Sequence, residues 1–262
     1  MTAALPLAVQ ADPESDRPVL LLIHGMLSSA LHWQPNEALS QSFRLIRVEL
    51  PGHGASAPPM TPEAARPDTI VAALEQVRQA LGVGVWHVCG ASFGAGIALR
   101  YALEHPGACQ SVSFTNGNSA LRGVWSVEEM QAQSDLAAHI RAGGEAAVHA
   151  MPYHPAHARR FPPAFRAALV VEAGRVTPET VALLQQEAMP RLTLRDRLGQ
   201  LRPPCLLING SHERRFQPLR DWLALAHPQI GIVDLPGGHS VNIECPEGFN
   251  TALSAFICNS GS

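Results

Sequence analysis

Four apolar runs, at residues 19–23, 45–50, 85–89 and 206–208, read as strands buried on both faces. Weaker runs at 111–114 and 230–235 add two more. Between them, residues 69–81, 94–105, 219–226 and 246–258 repeat their apolar positions at the three-to-four spacing of helices. Strands alternating with helices predict βαβ units, and hence an α/β class with a mainly parallel central sheet flanked by helices. In such a sheet, ligands lie at the carboxyl ends of the strands.

Residues 118–201 break this alternation. They are helical in tendency, rich in Ala, Arg and His, and punctuated by Pro152, Pro155, Pro162, Pro163 and Pro190. Roughly eighty residues without a strand are too long for a connection. The expected organisation is therefore one core built from residues 1–117 and 202–262, with 118–201 inserted as a helical cap or lid over the site. Trp125, Met130, Met151, Tyr153, Phe161, Phe165 and Met189 are its candidates for lining a pocket, with Trp125, Met151 and Tyr153 assigned to substrate. The last four residues, NSGS, read as a frayed tail.

The run at 85–89 leads into Gly90, Ala91, Ser92, Phe93 and Gly94, a GxSxG pentapeptide, and then into a helical pattern. A sharp strand-to-helix turn can hold one hydroxyl exposed above a sheet edge, which makes Ser92 the candidate nucleophile. A serine at neutral pH needs a histidine base, itself oriented by a carboxylate. His239 follows the run at 230–235 and a Gly-Gly turn, the placement such a base needs. Glu213 stands three residues beyond Gly210, at the end of the 206–208 run, and is the preferred acid; Asp234 and Asp221 are the alternatives. The polar stretch after 111–114, from Thr115 to Asn118, offers no acid. A tetrahedral intermediate needs preorganised N–H donors. Phe93, directly after the serine, and Met26, in the turn after the first core strand, are the candidate oxyanion donors, with Gly25 allowing close approach. His24 and His53 read as residues that fix loops.

Composition narrows the chemistry. The chain of 262 residues has a formal charge of −3, 46% apolar and 16% charged residues, and no lysine. Lysine's absence removes Schiff-base catalysis, pyridoxal phosphate attachment and a P-loop, and no cofactor or metal is expected. The charge disfavours nucleic acid as a partner, and the group His154, His157, Arg159 and Arg160 reads as a solvated face. No run approaches the roughly 18 apolar residues of a membrane span, nor do the first residues resemble a secretory signal, so no membrane partner is expected. Five cysteines (Cys89, Cys109, Cys205, Cys245, Cys258) without a CxxC pair fit a reducing, cytoplasmic setting. Oligomeric state has no signature.

HGM at 24–26, Trp33, LPGHGAS at 50–56, GASFG at 90–94, residues 210–213 and GGH at 237–239, followed by Glu244 and Pro246, resemble the α/β-hydrolase fold, in its compact capped form. That group includes carboxylesterases, lactonases, carbon–carbon bond hydrolases and cofactor-free haloperoxidases. The order Ser92, Glu213, His239 is the family's order of nucleophile, acid and histidine. Two positions depart from it: Glu213 and Glu49 stand where aspartate is usual. The resemblance implies a serine hydrolase of small carboxylic esters working through an acyl-enzyme, with a lactonase or carbon–carbon bond hydrolase, or a non-catalytic ligand-binding protein on the same scaffold, as alternatives. The partner implied is a small ester or lactone.

Overall fold

The structure, a computed structural model, describes residues 5–260. Seven strands, β1 (Val9–Ala11), β2 (Val19–Ile23), β3 (Arg44–Val48), β4 (Trp86–Gly90), β5 (Cys109–Phe114), β6 (Cys205–Gly210) and β7 (Gly231–Leu235), form one sheet in the order β1-β3-β2-β4-β5-β6-β7. All neighbours are parallel except β1, which adds to β3 antiparallel with Val9 opposite Val48. The α/β class with a mainly parallel sheet flanked by helices is therefore the fold observed.

Successive strand residues point to opposite faces, and both faces are covered. Leu21 and Ile23 of β2, Ile46 of β3, Val88 of β4 and Leu207 of β6 join one apolar cluster, which includes Ile70, Leu74 and Val77 of α1 (Pro67–Ala80) and Ile97 of α2 (Phe93–Glu104). Their neighbours Leu20, Leu22, Leu45, Cys89, Leu206 and Ile208 join the other, with Trp33 and Leu39 from a tight helical stretch, Ala30–Gln41. This second face is closed by Phe249, Leu253 and Ile257 of the last helix, Pro246–Ser260. Burying each such side chain contributes roughly 1.5–3 kcal/mol, which is why the strands read as unbroken apolar runs. Helix α1 starts at Pro67, whose fixed φ suits a first turn, and stops before Gly82, at φ +65°.

Between β5 and β6 the described chain holds helices and turns: α3 (Asn118–Leu121), α4 (Val127–His149), α5 (Pro163–Ala173) and α6 (Pro178–Leu183). Ser126 and Glu129 cap α4 reciprocally, each side chain accepting the other's backbone N–H, and Gly144 at φ +58° breaks its course. Ile140, Val148, Met151, Val176 and Val181 close an apolar cluster over Leu27, in the loop after β2. Leu184, Ala188, Leu192 and Leu198 instead enter the α1–α2 side of the sheet core. Phe161 and Leu169 pack with Ile243 and Leu31, so the segment is tied to the core by a third apolar contact as well. Beyond β6 come α7 (Gln217–Ala226), α8 (Val241–Glu244) and α9 (Pro246–Ser260). Asn259 and Ser260 complete α9, where a frayed tail was expected, and Gly261 and Ser262 lie outside the described residues. Among the described residues no helix is long and apolar enough to cross a membrane.

The close approach of β2, β4 and α2 leaves no room at two glycines. A methyl on Gly90 would sit 2.1 Å from the Gly94 carbonyl oxygen, and one on Gly94 would sit 2.4 Å from that of Ile23. Gly90→Ala should therefore lower the unfolding free energy in urea by about 2–3 kcal/mol. Gly107→Ala, where nothing lies within 4 Å, should change it by less than about 0.5 kcal/mol. Equal costs at the two positions would show that backbone contact is not the reason for glycine at 90.

Candidate active site

Ser92 joins β4 to α2 with φ +55° and ψ −110°, a strained conformation for a residue with a side chain. Three contacts hold it: Ala91 N–H donates to the Ile23 carbonyl at 2.9 Å, Ser92 N–H to the Thr115 hydroxyl at 3.4 Å, and Thr115 N–H to the Gly90 carbonyl at 3.0 Å. Gly25 lies so close that a methyl there would be 3.3 Å from the Ser92 Cβ.

His239 and Glu213 meet this serine from two later strand ends. Ser92 Oγ is 2.7 Å from His239 Nε2, and His239 Nδ1 is 2.9 Å from Glu213 Oε2. A carboxylate can only accept, so Nδ1 carries the proton and Nε2 accepts from the Ser92 hydroxyl. The two loops are stitched together: Ser211 N–H donates to the Leu235 carbonyl at 2.9 Å and His212 N–H to that of Gly237 at 2.8 Å. This requires glycine at 210, since a methyl there would lie 1.9 Å from the Gly238 oxygen.

The rival acids are engaged elsewhere. Asp234 accepts from Arg220 at 2.6 Å and from Asn209 at 2.7 Å, and Asp221 lies 3.1 Å from Arg220. Glu213 has partners that the sequence did not suggest. Asn116 Nδ2 donates to its Oε2 at 2.5 Å and Asn118 Nδ2 to its Oε1 at 2.9 Å, while Asn116 Oδ1 accepts from the Gly210 N–H at 2.9 Å. The stretch after β5 supplies no acid but supplies the amides that hold one. Its only sequence signal is a polar run at a strand end. Burial pushes the Glu213 carboxyl upward, but the hydrogen bond and charge of His239, with both asparagine amides, outweigh this and hold it below the ordinary glutamate value.

A cavity of about 600 Å³ opens above these groups. Gly25, Met26, Ser92, Phe93, Glu213 and His239 border it from the sheet side, and Tyr153, His154, Phe161 and Met189 from the 118–201 segment. Phe93 is the first residue of α2, so its N–H has no partner within the helix. Two expected wall residues are elsewhere. Met151 packs into the apolar cluster around Leu27, because its turn is drawn to the α4–α6 contact, and Trp125 stacks under the Arg122 guanidinium at 3.6 Å, outside the lining. Met130 is exposed and Phe165 packs beside Phe161. His157, Arg159 and Arg160, read from sequence as a solvated face, are exposed and also border the cavity, whereas His154 of the same group is buried.

His24 and His53 face the loops. His24 Nδ1 donates to the Gly25 carbonyl at 2.7 Å and its Nε2 accepts from Leu50 N–H at 3.1 Å. His53 accepts from Leu27 N–H at 3.2 Å, and burial drives its pKa down to about 3, so it stays neutral. Burial, then the neighbouring His149 and His157, lowers His154 to about 4. Among the described residues no group of three or more His, Cys, Asp or Glu has an arrangement able to hold a metal ion.

Glu213 makes stability depend on pH. Its carboxyl is depressed in the fold, so between the folded and unfolded values the unfolded chain binds more protons and stability rises with pH. The contribution is complete above the ordinary glutamate range and disappears as pH falls through the folded value. Urea midpoints taken from pH about 6 to about 3, around the ordinary value of about 4.3, should therefore drop more steeply for the wild type than for Glu213→Gln. Parallel curves would show that Glu213 has no such depression.

The sequence pattern of the alpha/beta hydrolase fold family matches residues 18–246. A Caulobacter segnis protein named as a candidate carbamate hydrolase, RutD, is 28% identical over 264 residues, covering 94% of this chain and 93% of its own. The 2-succinyl-6-hydroxy-2,4-cyclohexadiene-1-carboxylate synthase of Serratia proteamaculans is 27% identical over 256 residues, covering 95% and 96%. Among solved structures, MenH from S. aureus superposes with a TM-score of 0.84 at 18% identity over 99% of this chain and 100% of that one. With the matching pattern spanning most of its length, from before β2 to the start of α9, this chain belongs to the alpha/beta hydrolase fold family.

Proposed function

We propose that this chain is a serine hydrolase of small carboxylic esters that works through an acyl-enzyme. The observation that carries the reading is the continuous hydrogen-bonded line Ser92–His239–Glu213 at the floor of the cavity. His239 Nε2 takes the hydroxyl proton as Ser92 Oγ attacks the ester carbonyl. Glu213 steadies the imidazolium, and its amide partners keep it in place as an acceptor. The N–H groups of Met26 and Phe93 receive the oxyanion. Nε2 then returns the proton to the departing alcohol; water, deprotonated by the same nitrogen, releases the acid and restores Ser92.

In this reading residues 118–201 act as a cap, contributing Tyr153 and its neighbours to substrate, with Gly25 opposite. The free and buried Cys89, Cys109 and Cys205 accord with a reducing, cytoplasmic setting. A second reading uses the same residues on a carbamate carbonyl, which is what the name of the Caulobacter segnis relative says of that protein. A panel of esters, carbamates, lactones and ring-fission diketones separates these chemistries.

The wild type should hydrolyse p-nitrophenyl acetate and butyrate, and Ser92→Ala should be slower by roughly 10³-fold or more. A fluorophosphonate probe should label the wild type and leave Ser92→Ala unlabelled. Equal rates for the two proteins, or labelling that survives the substitution, would sink the proposal.

A further inference from the structure

Arg159 and Arg160 border the same cavity as Ser92 and His239, on the side of the 118–201 segment. Much of the surrounding wall is apolar, including Met26, Phe161, Leu169 and Met189. Two carboxylates also border it, and both are already occupied. Glu213 accepts from His239, Asn116 and Asn118. Glu244 Oε2 accepts from Gly238 N–H at 2.8 Å and from Arg160 Nη1 at 3.3 Å. Arg159 is left over: among the described residues, no carboxylate oxygen lies within 4.0 Å of its guanidinium, and that group donates no hydrogen bond to the protein. Its backbone is nevertheless fixed, with Arg159 N–H donating to the His157 carbonyl at 2.9 Å.

A guanidinium exposed to water at the rim of a largely apolar cavity, with no protein carboxylate paired to it, is a recognition element for a planar anion that enters there. Its N–H groups form a fork that matches the two oxygens of a carboxylate. We infer that the cavity takes a small ester bearing a free carboxylate, with Arg159 as that carboxylate's partner. The inference rests on the serine hydrolase reading for its reaction and on Arg159 for its selectivity. Hydrolysis of such a monoester consumes one water and releases the alcohol, leaving the negative charge of the recognised carboxylate untouched. Arg160 has a lesser part, because its charge is already shared with Glu244.

Binding and turnover can be read separately. Calorimetric titration of Ser92→Ala, which removes turnover, would compare monoethyl glutarate with diethyl glutarate, and 3-acetoxypropionate with its ethyl ester. The two pairs place the carboxylate on the acyl and on the alcohol arm. At least one monoanion should bind about tenfold more tightly than its neutral counterpart, the scale of one charge-assisted hydrogen bond. Added to the Ser92→Ala background, Arg159→Gln should abolish that ratio and Arg159→Lys, which keeps the charge but loses the fork, should keep only part of it, which separates lost charge from a disturbed turn. Neutral and anionic probes bound alike in both pairs, or a ratio unchanged in Arg159→Gln, would overturn the inference. If the wild type turned over none of the four esters while the binding ratio held, the hydrolase reading would fail and the carboxylate site would stand.

Discussion

The site depends on one steric constraint, the near contact of backbone between the end of β2 and the turn from β4 into α2. Ser92 occupies a conformation that costs on the order of 1–3 kcal/mol, and it persists because its surroundings leave no alternative. Gly94 lies against the Ile23 and His24 carbonyls, and Gly90 against Gly94 itself. The pairing of β2 with β4, which sets Ile23 opposite Gly90, delivers both sides of this contact. The same register brings the loop with Gly25 and Met26 beside the serine. A hydroxyl and the N–H groups that could receive an oxyanion therefore share one origin in the central strand pair.

Support for the other two members is polar and comes from strand ends. The carboxylate of Glu213 carries three donors from two segments of the chain, two from the stretch after β5 and one from the loop after β7, and Asn116 also binds the Gly210 backbone on either side of its amide. Inside a cleft of low dielectric, such a network orients strongly when every partner is present and costs heavily when one is missing. The buried amide of Asn116 and the partly buried one of Asn118 thus hold a glutamate in a position where the resemblance leads one to expect aspartate. The longer side chain has one more rotatable bond, and the two asparagines remove that freedom.

The layers and the central strands were legible in the residues because two-faced burial leaves an unbroken apolar signature. The edge strand β1 was not: three residues, mostly exposed and paired on one side, carry no such run. Neither was the helical stretch Ala30–Gln41, whose course contains Pro35 and a non-helical Asn36 and so has no steady periodicity. At the site, Ser92, Glu213 and His239 could be named because each stands at a strand end in a recognisable turn. Asn116 and Asn118 could not, since their partner lies 97 and 95 positions away and amide side chains have no distinctive spacing. Trp125 and Met151 were assigned to the wall by residue type alone, and type does not say which way a helical segment turns. Arg159 is exposed, as a solvated face implies, yet it also borders the cavity, which residue type alone does not reveal.

The carboxylate of Glu244 joins two parts of the molecule by polar contacts, beside the apolar packing of Phe161 and Leu169 on Ile243: it accepts from the backbone of the histidine loop at Gly238 and from Arg160 of the segment between β5 and β6. The contact therefore lies one residue from His239. Because Arg160 is more than half exposed, the ion pair can contribute at most about 1 kcal/mol, which limits the bias to about a fivefold shift in population. The rim of the cavity and the loop that carries His239 are thus joined by one weak, solvent-exposed ion pair and by the apolar contact of Phe161 and Leu169 with Ile243, so the apolar contact is the firmer tie.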